Sequence, residues 1–297
     1  MLITRSDRSK KAIWFWTIDR WLFSSYLILI SLGAFFIMAS GPKMADNLNL
    51  ENHFFTMRHI IFLVVGFLLV LFFSQLNERS LKIISIIGTI VCILLMFLTV
   101  INGIYAKGAQ RWINIFGQSL QPSEFIKPLF VVVNAWLLYL WKNKINFRGW
   151  LWSISSVSLI VFLLLLQPDL GMSLLIISVW LLQLFLSGAS LKIIVLLVCS
   201  LPTLLIVSYF YFDHVYHRIN IFIQGTSWQS VQAIKSFQNG GFFGRGMGEG
   251  FYKNNLPDAH TDFVFAIWAE ESGAIGALLV MLIYAGLVAR IIWIGCQ

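Results

Sequence analysis

The sequence predicts an all-α fold, a polytopic membrane helical bundle, and three observations carry that expectation. Only 11% of the 297 residues are charged while 59% are hydrophobic, against roughly 25% charged in ordinary soluble domains. The apolar residues gather into runs of about 17 to 20, the length a helix needs to cross a hydrocarbon layer roughly 30 Å thick. Lysine and arginine concentrate in alternate connections, the asymmetry that orients a membrane protein.

Taken in order, the qualifying runs are residues 21–40, 58–75, 82–101, 124–141, 149–166, 171–188, 191–212 and 263–290. Each of these eight is expected to be a transmembrane helix, because lipid offers no partner to a bare N–H or C=O and a helix satisfies its own. Residues 1–297 are therefore expected to form a single integral-membrane domain. Ahead of the first run stand Arg5, Arg8, Lys10, Lys11 and Arg20 without a small-residue cleavage site, which reads as a retained anchor and not a signal peptide. Arg79, Lys82, Lys142, Lys144, Arg148, Lys192 and Arg290 fall on the same side, so that side and the N-terminus are placed in the cytoplasm. The formal charge of +8 then reflects topology and attraction to anionic lipid. Nucleic acid is not an expected partner, since no basic cluster is interleaved with aromatics on a soluble domain. Cys92, Cys199 and Cys296 lie in apolar runs without metal-type spacing.

The outer connections break the apolar monotony. Residues 102–123 form a polar loop ending in Gln121-Pro122-Ser123-Glu124-Phe125-Ile126-Lys127. Pro122 suits a helix start, and Glu124 and Lys127 stand one turn apart on one face. Buried together they would hold each other ionised, either as a packing pair or as the lining of a cavity. In Gln167-Pro168-Asp169-Leu170-Gly171 the proline removes a donor and the glycine permits a bend, placing Asp169 at the apex of a turn. There it caps the following helix or faces a cavity.

The largest connection, residues 213–261, is expected to be an extracytoplasmic loop with an interfacial helix. Ser227 can cap that helix, Trp228, Val231, Ile234 and Phe237 recur at three-residue spacing, and Asn239-Gly240-Gly241 ends it. Gly244-Arg245-Gly246-Met247-Gly248-Glu249-Gly250 follows. It opens no βαβ unit, so a dinucleotide fingerprint lacks its context; what is left is a plain connector, or a backbone-rich loop whose Arg245 meets a pyrophosphate. Asp213, His214 and His217 have a spacing a metal could use, though such a pair in a wet loop is more often solvated. The segment closes on Leu256-Pro257-Asp258-Ala259-His260-Thr261-Asp262-Phe263-Val264-Phe265-Ala266, which sets a carboxylate where polar loop turns into apolar helix. An ionisable group at that depth points to function; the plainer alternative is a helix cap.

Four segments now make the chain resemble a known family: Gly108-Ala109-Gln110-Arg111-Trp112-Ile113, Gln121 to Lys127, Gln167 to Gly171, and Leu256 to Phe263 continued by Ala269-Glu270-Glu271. It resembles the SEDS proteins (shape, elongation, division and sporulation), peptidoglycan glycosyltransferases of the membrane. The Gly240-Gly241-Phe242-Phe243-Gly244-Arg245-Gly246 turn and the Pro257-Asp258-Ala259-His260 lead-in look closer to the division type, FtsW, than to the elongation type, RodA. Family members have ten membrane helices, so a chain matching through the eighth is expected to lack the last two.

The resemblance implies polymerisation of lipid II, the undecaprenyl-pyrophosphate-linked disaccharide peptide, into glycan strands for the septal wall of a dividing bacterium, at the outer face of the inner membrane. Asp262 matches the family's catalytic aspartate, and a base at the membrane edge is expected to sit desolvated. The implied substrate-binding residues are Arg111, Trp112, Gln121, Ser123, Glu124, Lys127, Asp169, Arg245, His260 and Thr261. Among these, Arg111 and Lys127 would offset the pyrophosphate, and Glu124 and Asp169 would orient groups or coordinate a divalent cation, Mg or Mn, the one cofactor to be considered. Glu270 lies about 12 Å from Asp262 along a helix, too far to share its proton. The implied partners are a class B penicillin-binding transpeptidase and other divisome membrane proteins. A lipid II flippase is the alternative from another class; transporters usually carry paired broken helices, and the sequence shows one break, at Pro168. A scaffold that only docks the transpeptidase is the third.

Overall fold

The computed structural model describes residues 9–47, 51, 53–106, 109–115, 117–145, 148–211, 213–224, 228–252, 256 and 262–296. In chain order it contains α1 (Lys10–Thr17), α2 (Arg20–Asn47), α3 (Phe54–Ser74), α4 (Glu78–Asn102), β1 (Ile104–Ala106), β2 (Ala109–Ile115), β3 (Gln118–Leu120), α5 (Pro122–Lys142), α6 (Gly149–Leu166), α7 (Leu170–Leu186), α8 (Leu191–Tyr211), α9 (Asp213–Gln224), α10 (Trp228–Gly240) and α11 (Val264–Gly295). Each of the eight apolar runs coincides with a helix over most of its described residues. Among the described residues α2, α3, α4, α5, α6 and α11 are long and apolar enough to cross a membrane, while α7 and the Leu191–Ser200 part of α8 are apolar but shorter. The protein is a multi-pass membrane bundle.

The expected polar loop at 102–123 is instead largely a small antiparallel sheet in the order β1-β2-β3. Ile104 pairs with Trp112 and Ile113 with Leu120, apolar partners across the strands that favour a ladder. Gly117, at φ +79°, supplies the turn between β2 and β3.

The chain divides into two compact units, a central one of Leu76–Ile221 and a terminal one of Met1–Gln75 with Phe222–Gln297. The core of the central unit gathers Met96, Ile126, Phe130, Ile160, Leu164, Ile176 and Leu184, all but inaccessible. Polar pegs cross it: the Ser153 hydroxyl donates to Asn134 Oδ1 at 2.6 Å, Trp180 Nε1 donates to that hydroxyl at 2.9 Å, and Asn134 Nδ2 donates to Gln183 Oε1 at 2.7 Å. Such bonds tie α5, α6 and α7 where apolar packing against lipid gives helices little reason to associate, each worth on average about 0.6 kcal/mol. Asn77 starts α4 by accepting the Ser80 N–H at 2.8 Å.

The terminal unit packs Phe36, Ile37, Phe55, Ile267 and Trp268 into its core. Asp19, just ahead of α2, takes Arg290 Nη2 at 2.6 Å and Nε at 3.0 Å. That guanidinium, helped by the Leu22 N–H, holds the Asp19 carboxyl below its ordinary value. On α10 the expected stripe faces outward: Trp228, Ile234 and Phe237 are exposed, while Ser236 and Gly240 are buried where α10 packs on α11.

A second break, besides the one at Pro168, interrupts α11 at Gly273, where φ is +72° and ψ is −175°. The turn that follows α10 splints it from both sides. Its carbonyls Gly241 and Phe242 accept the N–H groups of Ala274 and Ile275 at 2.9 and 3.3 Å, and its N–H groups of Arg245 and Gly246 donate to the carbonyls of Glu270 and Glu271 at 3.0 and 3.1 Å. Only glycine fits this interlock: a Cβ on Gly244 would meet the Glu271 carbonyl, and one on Gly273 the Gly244 nitrogen.

Candidate functional site

In the central unit the site begins with β2, which carries Arg111 and Trp112 to opposite faces of the strand. Arg111 reaches the turn between α6 and α7 and grips each of its residues: Nε donates to the Gln167 carbonyl at 3.0 Å, Nη2 donates to the Pro168 carbonyl, and Nη1 lies 3.6 Å from Asp169 Oδ2. From the other direction Gln167 Nε2 donates to the Met96 carbonyl at 2.9 Å and to the Thr99 hydroxyl of α4. Asp169 is 5% exposed and is the N-cap of α7, its Oδ1 accepting the Met172 N–H at 3.4 Å. The carboxylate is thus spent on a cap and on an arginine, and the capping account of Asp169 describes its geometry.

Around the start of α5, Pro122 stands at N1, Ser123 is buried, and Gln121 Nε2 donates to the Ser123 hydroxyl at 2.9 Å. Glu124 and Lys127 do meet, at 2.6 Å, but their side chains are 52% and 31% exposed. The expectation of a buried pair is corrected: a site at the very end of a helix leaves both side chains room to turn outward. Trp112 is half-buried on the sheet.

In the terminal unit two adjacent carboxylates of α11, Glu270 and Glu271, are 0% and 1% exposed. Backbone N–H groups and an asparagine bond to them. Glu270 Oε1 accepts the Phe251 N–H at 2.8 Å, Oε2 accepts the Tyr252 N–H at 3.1 Å, and Asn239 Nδ2 donates to Oε1 at 2.6 Å. Glu271 Oε2 accepts the Gly248 N–H at 2.9 Å. Arg245, expected to face a pyrophosphate, bends back instead, with Nε on the Asn239 carbonyl at 2.9 Å and Nη2 on Asn239 Oδ1 at 2.8 Å. The run Arg245–Asn239–Glu270 pins the glycine-rich segment to the bundle. Gln167, Asn239, Glu270 and Glu271 stood in the segments singled out in the sequence without a bonding role, and Thr99 was passed over; the signal present was two carboxylates inside an apolar run.

Asp262 differs from all of these. It lies in the turn before α11, exposed, and among the described residues no N–H and no cation engages its carboxylate; the N-cap of α11 is Phe263. The turn leaves its side chain at the protein surface, ahead of the apolar helix that follows. His260 and Thr261, with Pro257, Asp258 and Ala259, lie outside the described residues, as do the side chains of Asp213, His214 and His217. For a divalent cation, the test is convergence of donors: among the described residues no three His, Cys, Asp or Glu side chains come together, and Asp169 and Glu124 are each taken by a cation of the chain itself. These described residues do not make a metal cage.

Chemically, the terminal unit presents Asp262 unengaged at the mouth of an apolar helix, as Glu51 is ahead of α3 among the described residues, and the central unit presents an arginine and a lysine each in an ion pair. Comparison with known proteins matches residues 20–297 to the profile of the cell cycle proteins FtsW, RodA and SpoVE. A probable peptidoglycan glycosyltransferase FtsW from Caulobacter vibrioides is 33% identical over 290 residues, 96% of this chain and 74% of that one. Its counterpart in Coxiella burnetii is 33% identical over 300 residues, 96% of this chain and 80% of that one. Among solved structures, a chain of a peptidoglycan synthase complex described as coordinating polymerization and crosslinking superposes with a TM-score of 0.71 at 23% identity, covering 92% of this chain and 77% of that one. The rod shape determining protein RodA of Thermus thermophilus gives 0.61 at 21% identity, covering 92% and 74%. At these identities the structures speak for the fold.

Proposed function

The chain belongs to the family of FtsW, RodA and SpoVE cell cycle proteins, and from that premise we propose that it is a peptidoglycan glycosyltransferase of the division type, polymerising lipid II at the outer face of the inner membrane at the septum. The N-terminus is then cytoplasmic, and the partner is a class B penicillin-binding transpeptidase within the divisome. The observation that carries the proposal is the contrast among carboxylates: Asp169, Glu270 and Glu271 are buried and bonded, whereas Asp262 is exposed and unengaged among the described residues.

The chemistry asks for such a group. As the acceptor sugar's hydroxyl oxygen bonds to the donor's anomeric carbon, its proton must leave and the bond to the undecaprenyl pyrophosphate must break, which inverts the anomeric centre. Asp262 takes that proton as general base, a role typically worth 10² to 10⁴ in rate. The departing pyrophosphate needs cations placed beforehand. Within the central unit Lys127 is a cation free to reorient, because releasing its half-exposed ion pair costs about 1 kcal/mol or less. Arg111 stays in the turn it holds, and Arg245 keeps the glycine-rich segment in place.

The transport alternative gains an observation, since the break at Gly273 joins the one at Pro168. In transporters the ends of broken helices face the substrate. Here the N–H groups of Ala274 and Ile275 and the carbonyls of Glu270 and Glu271 are already taken by the splinting turn, which speaks against their serving a ligand. Purified protein incubated with lipid II, with and without the transpeptidase, should yield a ladder of glycan chains. Movement of lipid II across vesicle membranes with no ladder would favour the flippase, and partner binding with neither would favour the scaffold.

A further inference from the structure

Where α5 and α7 end side by side, a crevice of about 490 Å³ is lined by Trp141, Lys142, Lys144, Ser187 and Gly188. It adjoins a second, of about 320 Å³, that shares Lys142 and Ser187 and runs back between the two helices along Ala135, Leu138, Tyr139 and Leu186. The mouth is cationic, and the depth is apolar apart from Gln183, whose amide is taken by Asn134 and the Val131 carbonyl. Among the described residues the ion pairs are Lys82 with Glu78, Arg111 with Asp169, Lys127 with Glu124 and Arg290 with Asp19; neither Lys142 nor Lys144 takes part in one. Trp141 stands 5.4 Å from Trp150, a pair of the kind that marks headgroup depth.

The two helix ends that wall the crevice also differ in a telling way. Each closes as a Schellman motif: Ile145 N–H on the Leu140 carbonyl at 3.1 Å for α5, and Ala189 N–H on the Leu184 carbonyl at 3.2 Å for α7. Such a closure needs a left-handed residue, ordinarily glycine. In α7 it is Gly188, at φ +80°, but in α5 it is Lys144, at φ +56°. The backbone gains nothing from that lysine; the crevice gains a second charge.

We propose that this groove holds one anionic phospholipid, with its phosphate against Lys142 and Lys144 and an acyl chain along Ala135, Leu138 and Leu186. Two ammonium groups without a carboxylate partner draw a phosphate, and the crevice volumes fall in the range of ligand sites. A zwitterionic lipid would fill the apolar part but bring a cation of its own to the lysines. Free phosphate would use the lysines and leave the apolar part unfilled.

The full chain in nanodiscs of equal parts phosphatidylglycerol and phosphatidylcholine, released for native mass spectrometry, tests this. The wild-type chain should retain phosphatidylglycerol in preference. Lys142→Gln combined with Lys144→Gly should cut that retention by on the order of tenfold. Lys144→Gly alone should cut it severalfold while leaving Tm unchanged or higher, because glycine suits the left-handed position. Arg79→Gln, at the start of α4 and outside the groove, should retain lipid as the wild type does. Undiminished retention in the double variant, an equal loss in Arg79→Gln, a preference for phosphatidylcholine, displacement by inorganic phosphate, or a fall in Tm in Lys144→Gly would each overturn the assignment.

Discussion

The turn at Gln167–Asp169 and the glycine-rich segment after α10 each keep carboxylates inside an apolar bundle, and they do so by opposite means. At the turn, one arginine from a distant strand neutralises Asp169 and takes the carbonyls of Gln167 and Pro168 as well. In the glycine-rich segment the charge of Glu270 and Glu271 is met by N–H groups of Gly248, Phe251 and Tyr252 and by an asparagine. The first means depends on a side chain and leaves the backbone ordinary. The second depends on a backbone only glycine can adopt. What the contrast teaches is that burial here goes with engagement: Asp169, Glu270 and Glu271 are all bonded, and the proposed base, Asp262, is among the exposed carboxylates left unengaged among the described residues.

The two means should fail differently, and the largest effect is expected in the glycine interlock. Gly244→Ala sets a Cβ against the Glu271 carbonyl at φ +84°, whereas Gly246→Ala, at φ +106°, finds its nearest atom 3.8 Å away. The first should abolish recovery of monodisperse protein, while the second should cost only the backbone strain, about 1–3 kcal/mol, measured as a lower Tm. Equal loss from both would mean that the interlock does not form.

At the turn, Arg111→Ala leaves Asp169 buried without its counter-charge and should cost about 3–5 kcal/mol. Asp169→Asn in the same chain should restore part of that stability, since asparagine caps as well and carries no charge. Arg245→Ala, which removes an exposed side chain bonded to Asn239, should lower Tm far less. A loss from Arg245→Ala as large as that from Arg111→Ala would erase the distinction between the two means.

Smaller still is the Glu124–Lys127 pair. Being half exposed, it is worth about 0–1 kcal/mol, so either alanine variant should move Tm by no more than about 2–4 °C, with Lys127→Ala slowing polymerisation more than it lowers stability. The smallest effect belongs to Asp19. Its carboxyl is held below the ordinary value of 3.8, so its contribution is complete above that value and is lost as pH falls through the lower one in the folded protein. Thermal unfolding followed from pH 6 to pH 3 should show a slightly larger loss for the wild type than for Asp19→Asn.

Much of this fold was legible because lipid leaves few choices. Runs long enough to span had to be helices, and Pro122 and the Gln167–Gly171 turn marked their ends. The sheet at 104–120 was not legible, since strands of three residues such as Ile104–Ala106 are too short for alternation to show. Nor was the break at Gly273. Glycine beside Ser272 and Ala274 reads as a small residue in a helix, and what breaks the helix is Gly241 and Phe242, far away in sequence. Asp262 could be singled out from polarity alone, but its freedom could not, because that rests on where α11 begins. The bonding of Glu270 was hidden for a related reason: its donors are mainly backbone N–H groups, which no side-chain pattern records.

The central claim, that Asp262 is the base, is tested most directly by the rate of lipid II polymerisation by Asp262→Asn beside the wild type, with Tm and lipid II binding measured on the same preparations. Asparagine keeps the shape and removes the proton acceptor. Binding and Tm should be unchanged, and the rate should fall by on the order of 10² or more. A rate within a few-fold of wild type would contradict the account and return Asp262 to an ordinary residue of the turn before α11.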